Sequence, residues 1–68
     1  MPFNVGDRVY IDLEGLESRD DLDLQGKLEA TGTVVEIQMG VVYDVELDEP
    51  IGSFRILTHL VESRLRKL

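Results

Sequence analysis

The chain has 68 residues, with 14 acidic against 7 basic side chains, a net charge of −7 and no Cys or Trp. That length allows one domain, and the missing Cys rules out disulfides, thiolate metal sites and thiol nucleophiles. The acidity repels phosphate backbones, whose neutralisation supplies most non-specific nucleic-acid affinity, and the short apolar runs leave no membrane span.

A domain this small buries only about 60% of its unfolded surface, so its core must be efficient. At 43% hydrophobic residues the composition suffices for a packed interior. These properties point to a cytoplasmic protein that works without cofactor, metal or membrane.

Met1 to Asp7 reads as a lead-in ending in the turn-like Val5-Gly6-Asp7. From Arg8 to Leu13 the residues alternate, with Val9, Ile11 and Leu13 on one face and Arg8, Tyr10 and Asp12 on the other. That period of two marks a half-buried first strand. From Glu14 to Gly26 the pattern dissolves into a loop rich in Asp and Gly, with Leu16, Leu22 and Leu24 available to pin it down. Loops of this length in compact domains are often functional.

Lys27 to Gln38 forms the second strand region, with Gly32 suited to a bulge or sharp bend. Met39-Gly40 is the following turn. In the third strand Val41, Tyr43, Val45 and Leu47 point inward, and Val42, Asp44 and Glu46 point outward. Asp48-Glu49-Pro50-Ile51-Gly52 is a turn by its Pro and Gly content. Ser53 to Thr58 is the fourth strand, with Phe54 and Ile56 inward. Two readings remain for His59 to Leu68: a short helix on Val61, Leu65 and Leu68, or a single turn at His59 to Glu62 followed by a short closing strand through Ser63 to Leu68. The second is preferred, because ten residues make a marginal helix and a closing strand covers an exposed edge.

Three segments together carry a resemblance: Val5-Gly6-Asp7-Arg8-Val9, Thr31-Gly32-Thr33-Val34-Val35 and Tyr43-Asp44-Val45-Glu46-Leu47. The layout resembles the small Src-homology-3-like barrels, most of all KOW-type domains and the minimal barrels of bacterial and phage genomes. A similar layout occurs in a photosystem accessory subunit, the variable subunit of ferredoxin:thioredoxin reductase and nitrile hydratase beta subunits. The resemblance covers nearly the whole chain except Glu14 to Gly26. It implies an all-β barrel of about five antiparallel strands. It does not imply one function, since unrelated activities share this fold. Without Trp, the aromatic groove that proline-rich ligands use in such domains is missing. RNA-binding KOW domains tend to be basic, and this chain is acidic.

Each candidate site competes with a plainer reading. Asp12, Glu14, Glu17, Asp20, Asp21 and Asp23 form an acidic segment opposed only by Arg19. Asp21 to Gly26 begins like a Ca²⁺ loop, but the twelfth position is Gly32 where a bidentate Glu is needed. A solvated loop is preferred, with docking onto a basic partner as the functional alternative. His59 has no nucleophile and orienting group beside it in sequence, so it reads as a surface or turn residue. Asp44, Glu46, Asp48 and Glu49 could form a paired-carboxylate site, with Asp44 and Glu46 on one strand face, but an outer sheet face offers no apolar cleft to raise a pKa, so they read as solvated.

The expectation is therefore a non-enzymatic binding module that acts by protein–protein interaction with a basic partner. Its contact surface would be Arg8, Tyr10 and Arg55 with the loop acids Glu17, Asp20, Asp21 and Asp23. Aromatic and Arg side chains dominate binding hot spots. The rival expectations are nucleic-acid binding through Arg8, Arg55, Arg64, Arg66 and Lys67, and a structural subunit of a larger complex. The basic tail could also pair with the acidic loop of its own chain or of a neighbour.

Overall fold

Alternating side chains drive most of this chain into strands. The computed structural model, which describes residues 3–16 and 24–68, contains five of them. They are β1 (Arg8–Asp12), β2 (Glu29–Gln38), β3 (Val42–Ile51), β4 (Phe54–Val61) and β5 (Leu65–Lys67). A single 3-10 turn, Glu62–Arg64, links β4 to β5. The strands form one antiparallel sheet in the order β4-β3-β2-β1-β5. Between β4 and β5, the two edges, no pairing is present among the described residues. The C-terminus does close with a strand, with Val9, Tyr10 and Ile11 paired to Lys67, Arg66 and Leu65. The turn before it is Glu62–Arg64 rather than His59 to Glu62, because β4 continues through Val61.

One face of the sheet makes the core. Val9, Ile11, Leu13, Val34, Tyr43, Val45, Leu47, Ile51, Leu57, Leu60 and Leu65 are buried together, and Phe3 packs edge-on against Tyr43 with ring centroids 5.4 Å apart. Leu16 and Leu24 are buried as well, so both ends of the long β1–β2 connection are pinned to the core, as the sequence suggests. Leu22 lies outside the described residues. The lead-in is tied to β2 by Gly6 N–H to Val34 O at 2.8 Å and Val34 N–H to Asp7 O at 2.9 Å.

Gly32 does not mark a bulge. It sits in register with both Val9 and Leu47. A Cβ there would collide with the Glu46 carbonyl oxygen and lie 2.7 Å from Val45 Cγ1. Glycine is needed because the neighbouring β3 backbone passes directly over it. The bulge falls instead at Val35, where the β2–β3 register shifts between Val34 and Glu36.

Three further readings of the outer strands are corrected. Val41 is 61% exposed, because it closes the β-turn Gln38–Val41 rather than opening β3. Asp48 to Ile51 is strand, and only Gly52 and Ser53 form the β3–β4 connection. Gly52 has φ +60°, as a two-residue hairpin turn demands of its first central position. In β4 Leu57 and Leu60 are buried and Phe54, as expected, is half-buried against the core, while Ile56 is 44% exposed. Register shifts between Glu46 and Ile51, and again beside Asp44, change the phase of β4 against β3.

The second of those shifts buries Asp44, which the alternation places outside. Thr58 and His59 together stand opposite Asp44, with His59 at φ +57°. The bulge covers the Asp44 carboxylate, which stays on the outer face with its cross-strand partner Glu36, and the residue is left 7% exposed. There it accepts hydrogen bonds from Gln38 Nε2 at 2.8 Å and from the His59 N–H at 3.1 Å. A buried carboxylate requires such donors, since desolvation is otherwise costly. His59 is accordingly an exposed bulge residue within β4, a surface position as expected but not a turn.

Candidate functional site

The face of the sheet opposite the core carries a row of polar side chains. Register places Arg66 of β5 opposite Tyr10 of β1, and Tyr10 opposite Thr31 of β2. Thr31 Oγ1 then donates to Asp48 Oδ2 of β3 at 2.7 Å. Four adjacent strands thus contribute one residue each to a transverse row.

Two interlocked clusters hold this row. In the first, Arg8 donates from both guanidinium NH groups to the two carboxylate oxygens of Asp48, with Nη2–Oδ2 at 2.6 Å, and Nη1 also reaches Thr33 Oγ1 at 3.1 Å. A two-pronged guanidinium–carboxylate pair fixes geometry as well as charge. The Arg8 hydrogen bond, helped by that from Thr31, holds the Asp48 carboxyl down at about 2. The same hydrogen bond raises the Arg8 pKa further.

The second cluster centres on Tyr10, which is half-buried. Its hydroxyl donates to Glu29 Oε2 at 3.0 Å, and the Arg66 guanidinium lies 4.6 Å from the ring centroid. That distance is within the range of cation–π attraction. The bond to Glu29 pushes the phenol pKa up, with the positive Arg66 opposing.

Two clefts flank Tyr10. One, of about 250 Å³, is lined by Tyr10, Lys27, Glu29, Asp48, Glu49 and Pro50 among others. The other, of about 260 Å³, is lined by Tyr10, Asp12, Ser63, Arg64 and Arg66. Arg64 is anchored by donating to the carbonyls of Asp12 at 3.0 Å and Glu14 at 2.7 Å. The first cleft has three carboxylates to one ammonium; the second has two guanidiniums to one carboxylate.

Of the residues that sequence pattern proposes for contact, Arg8 and Tyr10 share this face. Arg55 stands exposed on β4, separated from β1 by β3 and β2 in the sheet. Glu17, Asp20, Asp21 and Asp23 lie outside the described residues. Glu29, Thr31, Asp48 and Arg66 complete the face without having been singled out for it. Asp48 was obscured by Pro50, which suggests a turn, although Glu46 and Asp48 continue the outward phase of β3. No group of three or more metal-binding side chains is found among the described residues, and no helix there is long and apolar enough to cross a membrane. Comparison with protein-family models, with curated proteins and with solved structures gave no match.

Proposed function

We propose that this protein is a small binding module that engages another protein through the outer face of β1, β2, β3 and β5, with Tyr10 at its centre. The sheet order β4-β3-β2-β1-β5, with a 3-10 turn leading into β5, supports reading the fold as a Src-homology-3-like barrel. The observation that carries the functional reading is Tyr10 itself. It is an aromatic side chain on an open sheet face, fixed between Glu29 and Arg66 and flanked by a cleft on each side. A preorganised aromatic loses little entropy on contact, which is what binding hot spots require.

The same geometry weighs against nucleic acid. Arg8 is neutralised by Asp48, Lys67 lies 3.6 Å from Asp7, and Arg55 stands on β4, with β3 and β2 between it and β1. Two of the five cations of the rival basic patch are thus already paired with a carboxylate, and a third is remote from the rest. Catalysis is not part of the proposal, since the buried carboxylate Asp44 is occupied by structural hydrogen bonds.

Affinity capture from the source organism tests the reading, using wild-type protein, Tyr10→Ala, and charge reversal at Asp20, Asp21 and Asp23. A protein retained by wild type and lost with Tyr10→Ala is the expected result. Loss only on reversal of the three acids would move the contact into the β1–β2 connection. Retention of RNA or DNA with steep salt dependence would replace the proposal by its rival.

A further inference from the structure

The two clefts beside Tyr10 are of similar size and opposite charge balance. Building on the reading of this face as a protein contact, we propose that its ligand is an extended segment with mixed charge. A Lys or Arg side chain enters the Glu29–Glu49 cleft and an Asp or Glu side chain meets Arg64 and Arg66, with the backbone crossing over the Tyr10 ring.

Charge complementarity selects this occupant. Asp48 is neutralised by Arg8, so Glu29 and Glu49, opposed by Lys27, leave the first cleft with one net negative charge that attracts a cation. Pro50, Ala30 and Ile51 supply apolar walls for the stem of a long basic side chain. In the second cleft Arg66 is held over Tyr10, and Arg64 is held by the carbonyls of Asp12 and Glu14. Both guanidiniums are therefore positioned before a carboxylate arrives.

Geometry sets the spacing. The row Arg66–Tyr10–Thr31–Asp48 crosses three strand intervals, which amounts to about 14 Å at ~4.8 Å per interval. An extended segment covers that distance in about four residues. The two charges of the ligand are accordingly about four residues apart, and a segment with only one sign of charge fills one cleft and is opposed at the other.

The test uses four synthetic ten-residue peptides on a Gly-Ser-Thr background. One has Lys and Glu four residues apart, one has the same pair in the opposite order, one has two Lys and one has two Glu. Amide chemical-shift titration of the protein at low salt reads both location and affinity. The expected result is binding of a mixed peptide about three- to fivefold more tightly than either single-sign peptide, the range open to exposed charge pairs. The shifts should centre on Tyr10, Thr31, Glu49 and Arg66. Glu49→Lys, a change at an exposed side chain, should abolish the preference for the mixed peptide over the two-Glu peptide.

Equal affinities for all four peptides, or shifts confined to other strands, overturn the proposal. If capture of a protein partner depends on Tyr10 while the mixed peptides show no preference, the ligand chemistry is wrong and the contact face stands. If capture is independent of Tyr10, the contact face itself falls.

Discussion

Arg8 and Asp48, forty residues apart in the chain, form a two-pronged ion pair across the outer face of β1, β2 and β3. Thr31 and Thr33 on the intervening strand bond to the acid and the base of the pair respectively. The pair therefore ties three strands together on the side away from the core.

A dependence of stability on pH follows. The folded-state pKa of Asp48 is about 2, below its ordinary value of 3.8. A lowered carboxylate pKa favours the fold wherever the group is ionised in the native state. The contribution is fully present above pH 4 and is lost as pH falls through 2. Carbonyl-carbon NMR titration of Asp48 should give a midpoint near the lower value. Asp48→Asn should flatten the change in urea midpoint between pH 4 and pH 2. An Asp48 midpoint near its ordinary value would show that the pair does not persist in solution.

The close approach at Gly32 makes a second expectation. Gly32→Ala would drive a methyl group into the Glu46 carbonyl and against Val45 Cγ1, both parts of a paired strand that cannot move independently. Overpacking of this kind costs about 1–3 kcal/mol, a large share of the stability of so small a domain. Circular dichroism melting should show a fall of at least about 5 °C. A variant as stable as wild type would mean that β2 and β3 separate easily at this point.

The β2–β3 turn offers the opposite outcome. Met39 and Gly40 have φ of +54° and +69°, the pattern of a type I′ turn, in which Asn-Gly is the favoured pair. Met39 is 87% exposed and makes no packing contribution that would offset its strained backbone. Met39→Asn should raise stability by about 0.5–1 kcal/mol, since Asn tolerates the left-handed region far better. Thermal melting measures this directly, and a lower midpoint would contradict the turn geometry.

The inward phase of β1 was legible because Val9, Ile11 and Leu13 alternate without interruption. The closing strand was legible too, since Leu65 is apolar between polar neighbours and ten residues are too few for a stable helix. What alternation could not reveal were the places where register slips. Irregularities at Val35, at Thr58-His59 and between Glu46 and Ile51 carry no compositional mark, yet they cover Asp44 and leave Ile56 opposite the exposed Glu46. Pro50 signals a turn locally, yet it stands at the exposed end of β3, and the true turn at Gly52-Ser53 follows. The Tyr10 face draws on four strands, so its membership depended on cross-strand register rather than on any motif.

Asp44 tests whether the bulge in β4 depends on the carboxylate that caps it. The carboxylate receives the His59 N–H and the Gln38 side-chain amide while buried to 7% exposure. Asp44→Ala removes both acceptors and leaves a cavity where the carboxylate was. Loss of a hydrogen-bonded buried partner costs about 1–3 kcal/mol. Asp44→Asn keeps one acceptor oxygen for the His59 N–H and should cost less than the alanine variant. Urea unfolding gives the ranking wild type, then Asn, then Ala, and amide exchange at His59 should accelerate in the same order. If Asp44→Ala leaves His59 exchange unchanged, the bulge is held by strand pairing alone, and Asp44 is buried without shaping β4.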